Sequence, residues 1–97
     1  MELNKIYTFK LNSGEEIIAK IVGDGPKFIV IQNPVSVAPN GKGIGLIPSL
    51  FTADINGEAK LNINSVSVYA ETDESIQTKY IEITTGISIP DKKILVG

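Results

Sequence analysis

Two acidic pairs, a hydroxyl run beside a glycine and a glycine-flanked lysine are the positions at which this chain could carry chemistry: Glu15-Glu16, Asp73-Glu74, Thr84-Thr85-Gly86 and Gly41-Lys42-Gly43. Two carboxylates act as acid and base only when they flank one bond. Neighbours in an extended strand point to opposite faces, so Glu15 and Glu16 do not meet that need. Asp73 and Glu74 read more simply as negative charge at a helix N-terminus. Thr84-Thr85-Gly86 has hydroxyls but no neighbouring base, and it reads as a helix end followed by a capping glycine. Gly41-Lys42-Gly43 lacks the rest of a phosphate-binding loop and lies among hairpin residues. The chain has no histidine and no cysteine, which removes the commonest general base and the usual soft and imidazole metal ligands. With no nucleophile and base to pair, the chain reads as a non-enzyme without a cofactor.

Groups suited to binding are easier to name. Asp24, between Gly23 and Gly25, reads as a turn former bonding its own backbone, the other use being to orient a nucleotide-binding loop. Lys27 reads as a solvated lysine opening a strand, or as a group that meets phosphate. Phe28 and Tyr69 read as core residues, with base stacking as their rival use, and Tyr80 reads as core in the same way. The nine basic residues are all lysines, set against eleven acids for a net charge of -2. Arginine is the usual bidentate reader of phosphate and guanine, so lysine point charges and backbone N–H groups would have to serve instead. Strong or sequence-specific nucleic-acid binding is therefore not expected, although an assembly can concentrate weak sites.

The elements that hold these groups follow from hydrophobic periodicity. Ninety-seven residues make one domain, 1–97, and an apolar content of 42% built on Ile and Val without tryptophan favours sheet. Residues 5–11 alternate, with Tyr7, Phe9 and Leu11 on one face. After an Asn12-Ser13-Gly14 turn, residues 16–22 carry apolar groups on both faces, as a curved strand should. Gly23-Asp24-Gly25-Pro26 predicts the next turn. A third strand runs from Phe28 through Val37, a hairpin follows at Asn40-Gly41, and a returning strand covers residues 45–53 with Pro48 at a bulge or outer edge. Residues 54–57 turn again, and strands follow at 58–63 and 66–70. The period then changes. Thr72 or Asp73 caps a helix over residues 74–85, with Ile76, Tyr80, Ile81 and Ile83 on or near one stripe, the competing reading being a β-branched strand over residues 79–84. Residues 87–97 read as an extended tail. The N-terminus lacks a signal-peptide pattern and no run approaches the ~20 apolar residues of a membrane span, so a cytosolic location is expected.

The pattern Leu11-x-x-Gly14-x-x-x-x-Ala19-x-Ile21, then Asp24, then Phe28-x-Val30-x-x-Asn33, resembles the first signature block of the Sm/LSm family, in which a small residue at the Ala19 position lets the second strand bend. The segments from Gly45-Leu46-Ile47-Pro48 to Val66-Ser67-Val68-Tyr69-Ala70-Glu71, continuing into the helix, are similar to small Sm-like proteins of marine bacteriophages. The resemblance implies a mostly β fold, a small bent five-stranded antiparallel barrel of the SH3 type over about residues 5–71, with a C-terminal helix over about residues 73–85. It implies homomeric rings of about five to seven subunits, joined edge strand to edge strand. It also implies a single-stranded RNA site made from the loop at Asp24, Gly25 and Lys27 and the loop at Asn62, Asn64 and Ser65. Phe28 stands where the family carries an asparagine, and no arginine occupies the second loop, so the implied binding is weak and non-specific. The alternative is a structural or adaptor ring that contacts protein instead. If the chain is phage-encoded, its location is the host-cell cytosol.

Overall fold

The computed structural model describes residues 1–54 and 57–85. Six strands form one antiparallel sheet: β1 (Ile6–Leu11), β2 (Glu16–Asp24), β3 (Phe28–Asn40), β4 (Gly43–Pro48), β5 (Glu58–Asn62) and β6 (Val66–Glu71). A single 3₁₀ turn, Ile63–Ser65, joins β5 to β6, and the helix α1 (Glu74–Thr85) follows. The spatial order is β4-β3-β2-β1-β6, and β5 also pairs with β3. The thirteen-residue β3 is thus shared: its first half, Phe28 to Gln32, holds β5, and its second half, Val35 to Asn40, holds β4.

Two expectations are corrected here. The resemblance implies five strands and the sheet has six: the returning strand stops at Pro48, beyond which the Ser49 N–H still bonds the Pro34 carbonyl but Pro34 has no N–H to return, and β5 then resumes pairing on the same side of β3. The sheet is also not closed, since β6 pairs with β1 and with no other strand among the described residues. Residues 49–53, placed in the returning strand by sequence, lie outside any strand, with bends at 49 and 51–53. The turn after β2 is shorter than expected as well: Gly23 and Asp24 remain in the strand, and the Gly25 N–H closes the turn on the Phe28 carbonyl at 3.0 Å. The β3–β4 hairpin turns on Gly41-Lys42, with Asn40 and Gly43 as its closing pair.

The sheet bends at two bulges in the β2–β3 ladder, one between Ile18 and Lys20 and one between Ile21 and Gly23. At the first, Ile18 pairs with Val35 and Lys20 with Gln32, so Asn33 and Pro34 together face Ala19. Asn33 adopts a left-handed φ of 51° and Pro34 has no N–H, which suits both to an interrupted ladder. Near the second, a Cβ on Gly23 would lie 3.0 Å from Val30 side-chain carbons, so the close approach of β3 depends on its absence.

Bending gives both faces something to bury. On the concave face, Tyr7, Phe9, Ile17, Ala19, Ile21, Ile29 and Ile31 form the main core, with Leu11, Leu61 and Val66 packed against it. On the other face, Ile18 and Val35 meet Tyr80 of α1, with Ile76, Val37 and Leu46 around them. The helix has its expected bounds, and Asp73 is its cap: the Ser75 hydroxyl and backbone N–H both donate to its carboxylate, and the hydroxyl bond leads in holding its pKa below the usual carboxylate value. Its stripe is narrower than expected. Tyr80 is buried and Ile76 half-buried, whereas Ile81, about 100° round the helix from Tyr80, is exposed, and Ile83 keeps the direction of the stripe but is exposed in the last turn. Gly86 and the expected tail at 87–97 lie outside the described residues.

Tyr80 is 3% exposed and supplies the groups that the first bulge leaves without ladder partners. Its one hydroxyl proton is shared between the carbonyls of Gln32 (2.9 Å) and Asn33 (3.0 Å), and its oxygen accepts the Lys20 N–H at 3.2 Å. The Pro34 carbonyl is taken by the Ser49 N–H at 3.0 Å. Burial pushes the phenol pKa up from 10.0 to about 12, against the lowering effect of the Lys20 N–H. Because the folded pKa is the higher one, the neutral phenol's stabilisation is complete below pH 10 and is lost between pH 10 and about 12. Tyr80→Phe is expected to lower stability in urea by about 1–3 kcal/mol at neutral pH. Across that alkaline window the parent should lose roughly 2–3 kcal/mol more than the phenylalanine variant. Parallel pH slopes for the two proteins would show that the hydroxyl has no such role.

Candidate nucleic-acid interface

The sheet brings the two implied loops together. Phe28 and Asn62 are register partners, and the Lys27 carbonyl accepts the Ile63 N–H at 3.1 Å, so the start of β3 and the end of β5 share one border. Gly23 to Phe28 line a shallow hollow there, together with Val30 and Lys60. Asp24 ends β2, and its carboxylate stands 3.8 Å from the Met1 amino group, an ion pair in place of the local turn bond expected for it. Gly25 closes the turn, and Lys27 is exposed.

The second loop divides. The Asn62 side chain caps the 3₁₀ turn by accepting the Asn64 N–H at 2.9 Å, so its oxygen has a structural partner. Asn64 and Ser65 turn instead toward the β1–β2 turn: Asn12 donates its side-chain NH₂ to the Asn64 carbonyl at 2.6 Å and its backbone N–H to the Ser65 carbonyl at 2.8 Å. The Ser67 hydroxyl completes the set by donating to the Asn12 side-chain oxygen. Of the six residues singled out by sequence, Asp24, Gly25 and Lys27 border the hollow, Asn62 adjoins it through its pairing with Phe28, and Asn64 and Ser65 belong to the clasp around Asn12.

Two aromatic expectations are corrected. Phe28 is 45% exposed and Tyr69 is 52% exposed. Strand parity explains the first, since Ile29 and Ile31 take the inward positions and leave Phe28 and Val30 facing out. Tyr69 touches Tyr7 and Phe9, with ring centroids 6.2 and 6.5 Å away, but β6 is an edge strand and nothing beyond it covers the ring.

Lys60 is the residue that sequence reasoning missed. Its Nζ lies 5.9 Å from the centroid of the Phe28 ring, and Val30 is its register partner. Its signal was the alternation of Glu58 to Asn62, which puts Ala59 and Leu61 inward and Lys60 outward, but the pairing with β3 was needed to set it beside Phe28. An exposed ring with the Lys60 ammonium beside it and Lys27 on the same hollow can stack a base and neutralise phosphate. No helix among the described residues is long and apolar enough to cross a membrane. Comparison with protein-family models finds none that matches the chain, and comparison with curated proteins finds no significant match.

The clasp gives a direct test of which asparagines hold the loop. Asn12→Ala should lower stability by about 0.5–1.5 kcal/mol, read from urea unfolding, because it removes two side-chain hydrogen bonds at an exposed site. The amides of Asn64 and Ser65 should also gain hydrogen-exchange rate. An unchanged exchange rate there would separate Asn12 from the loop's order.

Proposed function

We propose that the chain is a subunit of a homo-oligomeric Sm-like ring that binds single-stranded RNA weakly and without sequence preference, with Phe28 as the stacking surface and Lys27 and Lys60 as phosphate partners. The observation that carries this reading is the grouping of Lys27, Phe28 and Lys60 on the border where β3 meets β5. Aromatic stacking accepts any base and lysine meets phosphate as a point charge, which accounts for weak, unselective binding by a chain without arginine.

Ring assembly is supported by the two sheet edges. The outer sides of β4 and β6, at the two ends of the strand order, have no strand partner among the described residues, and neither does that of β5. β4 and β6 present apolar groups there: Ile47 on β4, and Val68 and Tyr69 on β6, with Val68 62% exposed. Natural edge strands are usually blunted by charge, proline or covering chain; β6 runs Val-Ser-Val-Tyr-Ala before its one charge at Glu71, and β4 carries its one proline at its end, Pro48. Pairing β6 of one copy with β4 of the next in a head-to-tail contact that closes by rotation would give both of these strands a partner. The SH3-type barrel belongs to the same proposal: β4 and β5 act as one interrupted strand along β3, and the 3₁₀ turn leads into β6. A second reading, an adaptor ring that contacts protein, is favoured by the net charge of -2.

Sedimentation equilibrium should give a closed multiple of the single-chain mass, and Val68→Lys with Tyr69→Lys should reduce it to the single chain while circular dichroism keeps its β signal. A parent protein that sediments as one chain at high concentration excludes the ring. Fluorescence anisotropy at low salt should show labelled poly-U and poly-A binding alike. Phe28→Ala should weaken both by about 1–3 kcal/mol, and Lys27→Glu with Lys60→Glu should abolish binding. If the parent binds neither strand at roughly 100 µM subunit, the nucleic-acid role is excluded and the adaptor reading takes its place.

A further inference from the structure

A second concavity lies away from the Phe28 border, at the excursion that separates the end of β4 from the start of β5. Its wall also takes in the middle of β3 and the last turn of α1, and its apolar part includes Pro34, Val35, Pro48, Leu50, Phe51 and Ile83. It encloses about 260 Å³. That falls below the ~300–1,000 Å³ usual for small-molecule pockets, so one or two side chains of a longer ligand fit it better than a whole small ligand. Phe51 is 81% exposed, and Leu50 and Ile83 are exposed beside it. Large apolar groups collected in this way mark a surface that a partner covers.

We propose that this groove takes an extended segment of a partner protein, apolar at alternate positions and carrying lysine or arginine between them. Charge selects the basic residues. The charged side chains on the wall among the described residues, Asp54 and Glu58, are both acidic, and Glu58 has no ion-pair partner among those residues. The backbone selects the extended form. Glu58 and Ala59 open β5, whose outer side has no strand partner among the described residues, so main-chain N–H and C=O groups stand free at the groove's mouth. A peptide bonds to such an edge through its own main chain while its alternate side chains enter the pocket beside it. A second copy of this chain is the poorer occupant, because its net charge is -2 and β6, the free edge it would offer, brings its one charge as the acid Glu71. The site is separate from the border of Lys27, Phe28 and Lys60, and it requires neither RNA binding nor a closed ring.

The test uses the full chain and the fluorescence anisotropy of a short labelled peptide in which lysine alternates with leucine and valine, beside a control peptide with glutamate in place of each lysine. The parent should bind the basic peptide and not the acidic one. Leu50→Ser with Phe51→Ser should weaken binding at least about tenfold while circular dichroism stays unchanged, since both side chains are exposed. Glu58→Lys should weaken it by about threefold to tenfold, whereas Glu2→Lys, the same charge change on the N-terminal arm beside Lys5, should leave it within about twofold. Equal losses for these two lysine variants would overturn the proposal, and so would an absence of binding to the parent at roughly 1 mM subunit. If the Leu50 and Phe51 changes lower the mass that the parent shows in sedimentation equilibrium, the groove lies between copies of this chain, which also overturns it. A parent that sediments as one chain and still binds the basic peptide excludes the ring and leaves the groove's assignment standing.

Discussion

One phenol hydroxyl decides the relation between the helix and the sheet. A sheet that bends this sharply must interrupt a ladder, and the interruption at Asn33-Pro34 releases backbone groups in a buried place. Left unpaired, each such group would cost about 1–3 kcal/mol. Tyr80 answers three of them at once, and Ser49 answers the Pro34 carbonyl from the other side. The helix therefore covers apolar surface and also completes the hydrogen bonding of the strand pair that it covers. Without that hydroxyl the bend has no buried partner on its helix side, so curvature, the second core and the position of α1 form one physical unit.

The bend in turn creates the two surfaces on which function is argued. Curvature lets β3 serve β5 with one half and β4 with the other, and the β5 half places Lys60 beside Phe28. The same sharing leaves β4 and β6 as free edges on opposite ends of the sheet order. The candidate interface and the edges proposed to assemble are thus both products of a strand long enough to hold two neighbours in tandem.

Local pattern carried much of this. The alternation at Tyr7, Phe9 and Leu11 gave the inward face of β1, and the Asp73 cap with its acidic first turn gave the helix its start. Ala19, noted as the small residue at a bend, lies fully buried opposite Asn33 and Pro34. What stayed hidden depends on partners distant in sequence. Tyr80 meets carbonyls 47 and 48 residues away, a separation that no window of periodicity covers. Phe28 and Tyr69 have strong strand character, but propensity does not distinguish an interior strand from an edge or an inward parity from an outward one. Lys60 became a neighbour of Phe28 only through β3–β5 register. Pro48, which the sequence puts at a bulge or an outer edge, lies at the end of the edge strand β4, where its missing N–H takes nothing from the ladder with β3.

The excursion at 49–57 departs from β4 opposite Val35 and returns in β5 opposite Gln32, so both of its ends are pinned to one strand three positions apart. Lengthening a loop whose ends are already fixed adds little closure entropy, and it shifts no register in the ladders on either side. Relatives of this chain could therefore acquire insertions at this point and reshape the groove wall while the curved frame, its tyrosine anchor and its free edges stay as they are. This makes the excursion the place where the surface can diversify while the architecture stays constant.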